Sequence, residues 1–281
     1  MATETRIYHK SRQGPVERPV SRSGWKVAAR EAALIGVAAL LYSLVRGLTN
    51  DRVEAAFANS ERVISFERRL GLFVETDLQS FALRSDVVLA IVNAIYIAYW
   101  PLVFGTLAWL LVRRPRIYPL FRNAILASGA LSLVVFALFP LAPPRFVPEY
   151  GFVDTIARES AGYRSFNASP LVNEYAAMPS LHFGWVLLLA IAVATVVLNP
   201  YVRAVAFAVP PLMFAAIVLT GNHYVVDGFA GGAIVLTGLW MAVALRKRRT
   251  NRILPERGLP ESFARPTDTD MHAKDPHYPY P

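Results

Sequence analysis

The chain has 281 residues, 54% hydrophobic and 17% charged, with a formal net charge of +9 and no cysteine. The absence of thiols excludes disulfides, thiolate metal sites and cysteine nucleophiles, so chemistry falls to His, Asp, Arg and their neighbours. The positive charge does not read as a nucleic-acid surface, because the basic residues flank long apolar segments, where anionic lipid headgroups attract them.

Residues 1–26 form a polar, patternless tail containing Arg6, Lys10, Arg12, Arg18, Arg22 and Lys26, expected to be disordered. It is too long and too charged for a cleavable secretion signal, so the first apolar segment is expected to remain as an anchor. Six nearly uncharged segments follow, near Val27 to Leu48, Val87 to Val112, Asn123 to Pro140, Pro179 to Leu198, Val202 to Leu219 and Tyr224 to Leu245. Crossing roughly 30 Å of hydrocarbon takes about 20 helical residues. Such uniformly apolar runs lack the alternation of barrel strands, and backbone groups in lipid must be satisfied within a helix. The reading is an all-α polytopic membrane protein, a six-transmembrane-helix bundle with its catalytic domain at 27–245. Between the first two spans, Val53, Phe57, Val63, Ile64, Phe66, Leu70, Phe73, Leu78 and Phe81 recur at helical spacing. That pattern predicts amphipathic helices broken near Gly71 and lying on the outer leaflet. Residues 246–281 are proline-rich with mixed charge and are expected to be disordered.

Arginine and lysine set the orientation. The amino-terminal tail, the connection with Arg113, Arg114, Arg116 and Arg122, and the exit through Arg246, Lys247, Arg248 and Arg249 fall on one side of six alternating helices. The positive-inside bias makes that side cytoplasmic, with both termini, in a plasma (inner) membrane. The connections Thr49 to Asp86 and Leu141 to Met178 carry more acid than base and face out, as does the turn at Gly221 and Asn222.

His182 and His223 are the histidines outside the tails, and each stands at the start of an apolar segment, in PSLH and HYVVD. Ionisable residues in such places are functional-site hypotheses by default. His223 and Asp227 are four residues apart, within reach if Tyr224 begins a helix. A carboxylate beside an imidazole keeps one ring nitrogen protonated and frees the other as base or nucleophile. Pro179 suits a first helical turn, and Ser180 adds a hydroxyl near free amides. The fourth and sixth helices would then converge by their amino-terminal ends, whose N–H groups and partial positive charge could cradle phosphate. Arg145, in LAPPRF, and Arg164 would supply full charge, while Asn222 would cap the sixth helix or donate to the phosphate. The competing readings are an interfacial histidine, a structural His223–Asp227 pair and an arginine anchored to headgroups. The glycines of GFAGG read as close helix packing.

AAMPSLHFGW, followed about forty residues later by TGNHYVVDGFAG, resembles the second and third motifs of the type 2 phosphatidic acid phosphatase superfamily. The PSLH and HYxxD forms resemble its inositol phosphorylceramide synthase-like branch. The resemblance implies a six-helix bundle in which His223 attacks phosphorus, Asp227 orients it and His182 protonates the leaving oxygen, with no metal or other cofactor. It departs from the superfamily in lacking KxxxxxxRP, with Arg145 as a substitute, and in carrying Ala216 and Ile217 where the third motif begins Ser-Arg. A lipid phosphate or phospholipid substrate within the bilayer follows, with water making a phosphatase and a lipid hydroxyl a phosphotransferase. The alternatives are an ion- or proton-coupled transporter using the same residues and an inactive scaffold. Oligomeric state is not legible.

Overall fold

The computed structural model describes residues 24–47, 51–155 and 173–253. The described residues form nine α-helices: α1 Gly24–Gly47, α2 Val53–Leu70, α3 Glu75–Ala82, α4 Asp86–Ile97, α5 Tyr99–Arg113, α6 Tyr118–Leu138, α7 Leu181–Val196, α8 Pro200–Leu219 and α9 Val225–Ile253. Two 3₁₀ turns, Pro144–Phe146 and Pro148–Tyr150, follow α6. The chain divides into two compact units, Met1–Ala242 and Val243–Pro281, and the site lies wholly within the first.

Four helices are long and apolar enough to cross a membrane, within Gly24–Val45, Tyr118–Leu138, Pro200–Leu219 and Val225–Thr250; α3 and α4, bent by 117°, make a fifth candidate. The expected count of six is not reached by this measure, for local reasons. The run Val87 to Val112 divides into α4 and α5 at Ala98. Pro101 has no N–H to offer the Ile97 carbonyl one turn back, so the helix breaks there. The segment Pro179 to Leu198 yields only the 16 residues of α7, and Asn199 then caps α8 by accepting the Tyr201 and Val202 N–H groups.

The apolar residues point both ways. Tyr99, Leu107, Phe121, Leu188, Met213 and Ile217 fill the core joining α4 to α8, while Leu41, Trp100, Phe104, Phe207, Phe229 and Trp240 are exposed on its flanks. An exposed belt of that composition fits lipid as solvent. The helix α1 is largely exposed and is tied to α6 by Glu31, which is buried and pairs with Arg122 and Arg30.

The predicted amphipathic pair is present as α2 and α3, with Gly71 between them in the left-handed conformation at φ 67°. Phe66, Leu70, Leu78 and Phe81 are exposed, whereas Asn59, Ser60, Glu67, Glu75 and Gln79 are buried. Polar residues share the inward face with Ala56, Val63 and Ile64 because the segments beneath need partners: Asn59 donates to the Pro140 carbonyl, Ser60 to the Ala142 carbonyl, and the Gln79 amide bonds both N–H and C=O of Val153. A smaller core of Val63, Ile64, Leu141, Val147, Phe152 and Tyr224 lies under this cover.

Candidate functional site

The site forms where three chain segments are pinned together. Leu141 exchanges backbone hydrogen bonds with the stretch before α7, its N–H donating to the Tyr175 carbonyl at 2.7 Å and its carbonyl accepting from Ala177 at 3.2 Å. The Arg145 N–H donates to the Gly221 carbonyl at 2.8 Å, and the Ser180 N–H to the Asp227 carbonyl at 2.9 Å. LAPPRF, MPSLH and GNHYVVD are thereby held side by side.

Glycine makes the closest of these approaches possible. A Cβ on Gly231 would lie 2.0 Å from the Ser180 carbonyl oxygen, and one on Gly184 would lie 2.6 Å from the Gly231 oxygen. The reading of GFAGG as a packing motif is correct at Gly231. Gly221, at φ 69°, turns the chain from α8 into the histidine segment.

The two histidines meet. His182, in the first turn of α7, and His223, just before α9, have ring centroids 5.7 Å apart. His182 is held between Tyr96, stacked at 4.4 Å, and Tyr99, at 4.2 Å. His223 Nδ1 lies 3.4 Å from Asp227 Oδ2, so the i, i+4 spacing has the expected consequence. Asp227 is fully buried and also accepts the Tyr224 N–H through Oδ2 at 3.0 Å.

Arg145 reaches the same place. Its Nη1 donates to Asn222 Oδ1 at 2.5 Å, its Nε is 3.4 Å from Asp154 Oδ2, and its guanidinium lies over the Phe146 ring. Arg145, Asn222, His182 and His223 together line one end of a cavity of about 450 Å³. The cavity continues along α6 past Phe136, Leu133, Gly129 and Leu126 to Arg122, walled by Tyr42 of α1 and Leu107 of α5. Arg122 to Phe136 is 14 helical steps, about 21 Å at 1.5 Å each.

Several assignments change. Asn222 does not cap α9: its Oδ1 is taken by Arg145 and its Nδ2 donates to Thr220 Oγ1 at 2.8 Å. It positions the arginine. The start of α9 is no open anion cradle either, because the N–H groups of Tyr224, Val225 and Val226 are bonded to Asp227, Glu75 and Glu67. Carboxylates outcompete an amide at a helix amino terminus by their charge. Pro179 precedes the helix instead of opening it, and Ser180 takes the N-cap position without a side-chain cap bond. Ser180 is fully buried with its Oγ unpartnered among the described residues; its backbone, packed on Gly231, serves the helix crossing. Arg164 lies outside the described residues.

Glu67, Glu75, Asp154, Tyr96 and Tyr99 escaped the sequence reading. The tyrosines carried a signal, a pair three residues apart in an apolar run, although the break at Ala98 places them at the end of α4 and the start of α5.

The family model described as PAP2 superfamily matches residues 61–241, well over half of the chain. No curated protein and no solved structure matches.

Proposed function

This chain belongs to the PAP2 superfamily, and from that premise we propose that it is a membrane enzyme transferring the phosphoryl group of a lipid-linked phosphate through His223. Membership implies a phosphatase-type activity in a membrane protein; donor, acceptor and mechanism are our reading. The observation that carries it is the position of both histidines and Arg145 at the head of an apolar cavity about 21 Å long along α6. A headgroup placed between the rings lets its chain lie among Leu126, Leu133, Phe136 and Leu107.

The reaction proceeds in two steps. The Nε2 of His223 attacks phosphorus, an N–P bond forms and the bond to the lipid oxygen breaks, while protonated His182 gives its proton to that oxygen. Asp227 holds the proton of His223 on Nδ1 and balances the positive ring of the phosphohistidine. Water or a lipid hydroxyl then attacks phosphorus, His182 takes the proton back, and the N–P bond breaks. Arg145, aimed by Asn222 and Asp154, supplies charge to the equatorial oxygens. The stacked tyrosines fix the plane of His182. The PSLH and HYxxD forms favour the inositol phosphorylceramide synthase-like branch, and the arginine distribution favours a site on the external face of the plasma membrane.

The test is purified full-length protein in detergent, offered a panel of lipid phosphates and phospholipids in the presence of EDTA, with free phosphate and new lipids measured beside His223→Ala. Phosphate release lost in the variant supports a phosphatase, and a new phospholipid without free phosphate supports a transferase. Turnover that stops with EDTA and returns with magnesium refutes the metal-independent mechanism. No product from any donor refutes the enzyme reading in favour of transport or a scaffold.

A further inference from the structure

Two carboxyl groups that the proposed chemistry does not use close the start of α9. Glu75, the first residue of α3, accepts the Val225 N–H through Oε1 at 2.9 Å; Glu67, in the last turn of α2, accepts the Val226 N–H through Oε1 at 2.8 Å. Both side chains are fully buried. With Asp227 on the Tyr224 N–H, three of the donors that a helix start leaves without intrahelical partners are met by three carboxyls.

Three ionised carboxylates in one dry turn would repel each other strongly. The remaining oxygens, Oε2 of Glu67 and Oε2 of Glu75, are buried and receive no donor from any other group among the described residues. The two Oε1 atoms sit on the consecutive N–H groups of Val225 and Val226, which makes the two carboxyls close neighbours. Two carboxyl oxygens so placed can hydrogen-bond only with a proton between them. Burial raises the proton affinity of Glu67, and the neighbouring Glu75 and Asp227 raise it further, against the opposing Val226 N–H. The other titratable groups facing the pair are Asp227 and Tyr224. His223 lies beyond Asp227, and Arg68 is turned away over Phe73 and Tyr150.

We propose that Glu67 and Glu75 are positioning residues that share one proton, and that this acid–carboxylate pair fixes the first turn of α9 and with it Asp227 and His223. The positioning role rests on the phosphoryl-transfer reading; the shared proton does not.

The chemistry makes an unusual demand on amide variants. In Glu67→Gln, the amide oxygen keeps the Val226 N–H and the amide nitrogen supplies the hydrogen that the pair otherwise shares. Glu75→Gln does the same from the other side. In the double variant both oxygens remain on the helix, so the two NH₂ groups confront each other with no acceptor between them.

The full chain in detergent is therefore unfolded thermally at about pH 7 in a double-mutant cycle. Each single Gln variant should unfold within about 2 °C of wild type, whereas Glu67→Gln/Glu75→Gln and Glu67→Ala should each fall by roughly 3–10 °C. An infrared carbonyl band of a buried carboxylic acid should be present in wild type and reduced in both single variants. Additive single and double effects, or a Glu67→Gln loss equal to that of Glu67→Ala, would overturn the shared proton. Positioning is read at His223 itself, from the pH profile of its carbethoxylation by diethyl pyrocarbonate, followed by peptide mass spectrometry. The single variants should keep the wild-type midpoint and the double variant should shift it; an unshifted double variant overturns the positioning role. None of these readouts needs turnover, so a protein that releases no phosphate from any donor refutes the catalytic reading while the pair is still decided.

Discussion

Replacing Asp227 by Asn isolates the charge of the group that orients His223. Oδ2 serves both the Tyr224 N–H at 3.0 Å and His223 Nδ1 at 3.4 Å, so an amide oxygen in that position keeps both contacts and the helix start survives. Only the negative charge is lost. At an effective dielectric of about 20, a unit charge at that separation is worth about 5 kcal/mol to a positively charged imidazole ring. The amide dipole returns about 1–2 kcal/mol of this. The remainder, about 3–4 kcal/mol, predicts a fall in kcat of roughly 10²–10³-fold. In the proposed mechanism the His223 ring becomes positive only as the N–P bond forms, so KM should hardly move, as expected for an interaction made only in the transition state. Single-turnover phosphate release, with acid-labile phosphohistidine trapped on His223, is the assay. A variant within threefold of wild-type kcat, folded and with unchanged KM, would refute the role given to Asp227.

Gly231→Ala puts a Cβ 2.0 Å from the Ser180 carbonyl oxygen and 2.8 Å from its carbonyl carbon; because backbone cannot swing away, unfolding temperature and activity should both drop sharply. Gly36→Ala, with nothing within 4 Å of its Cβ, should behave as wild type in the same melts. Asn222→Ala removes the acceptor of Arg145 Nη1 without touching the charge itself, and should cost roughly 10–100-fold in kcat/KM on a lipid phosphate; unchanged kinetics would show that Asp154 alone aims the arginine. Stability should fall as pH rises. The folded Glu67 holds its proton up to about 9 against an ordinary 4.5, so the unfolded chain loses protons first, and stability fully present below about 4.5 declines through that window by at most about 1.4 kcal/mol per pH unit. Melting temperatures across that range, with Glu67→Gln flattening the slope, check the sign; a rise with pH would contradict it.

How far the sequence could be read depended on which medium covers each face. Hydropathy located the long helices because lipid imposes one requirement on every exposed side chain. It did not separate α4 from α5, since one missing N–H at Pro101 leaves no trace in apolar character. The i, i+4 relation of His223 and Asp227 and the meeting of the two histidines followed from short-range geometry. Glu67 and Glu75 did not, because periodicity shows that α2 and α3 have two faces without showing which one water leaves. The inward face mixes Val63 and Ile64 with five polar side chains that meet backbone groups of the 140–142 turn, Val153 and α9, partners far away in the chain.

The burial of Glu67 and Glu75 also decides where an anion can be held. A helix amino terminus is an anion site only while its N–H groups are free, and here three of them already face carboxyls. The start of α9 has thus exchanged phosphate binding for rigidity, and its carboxyls would repel a phosphate that approached it directly. Full positive charge must come from a side chain, and among the described residues Arg145 is the arginine brought to the histidine end of the cavity, braced by Asn222 and Asp154. In the proposed mechanism a phosphate is drawn to Arg145 instead of the α9 terminus, and Asp227, 3.4 Å from His223 Nδ1, favours the positive ring as the N–P bond forms.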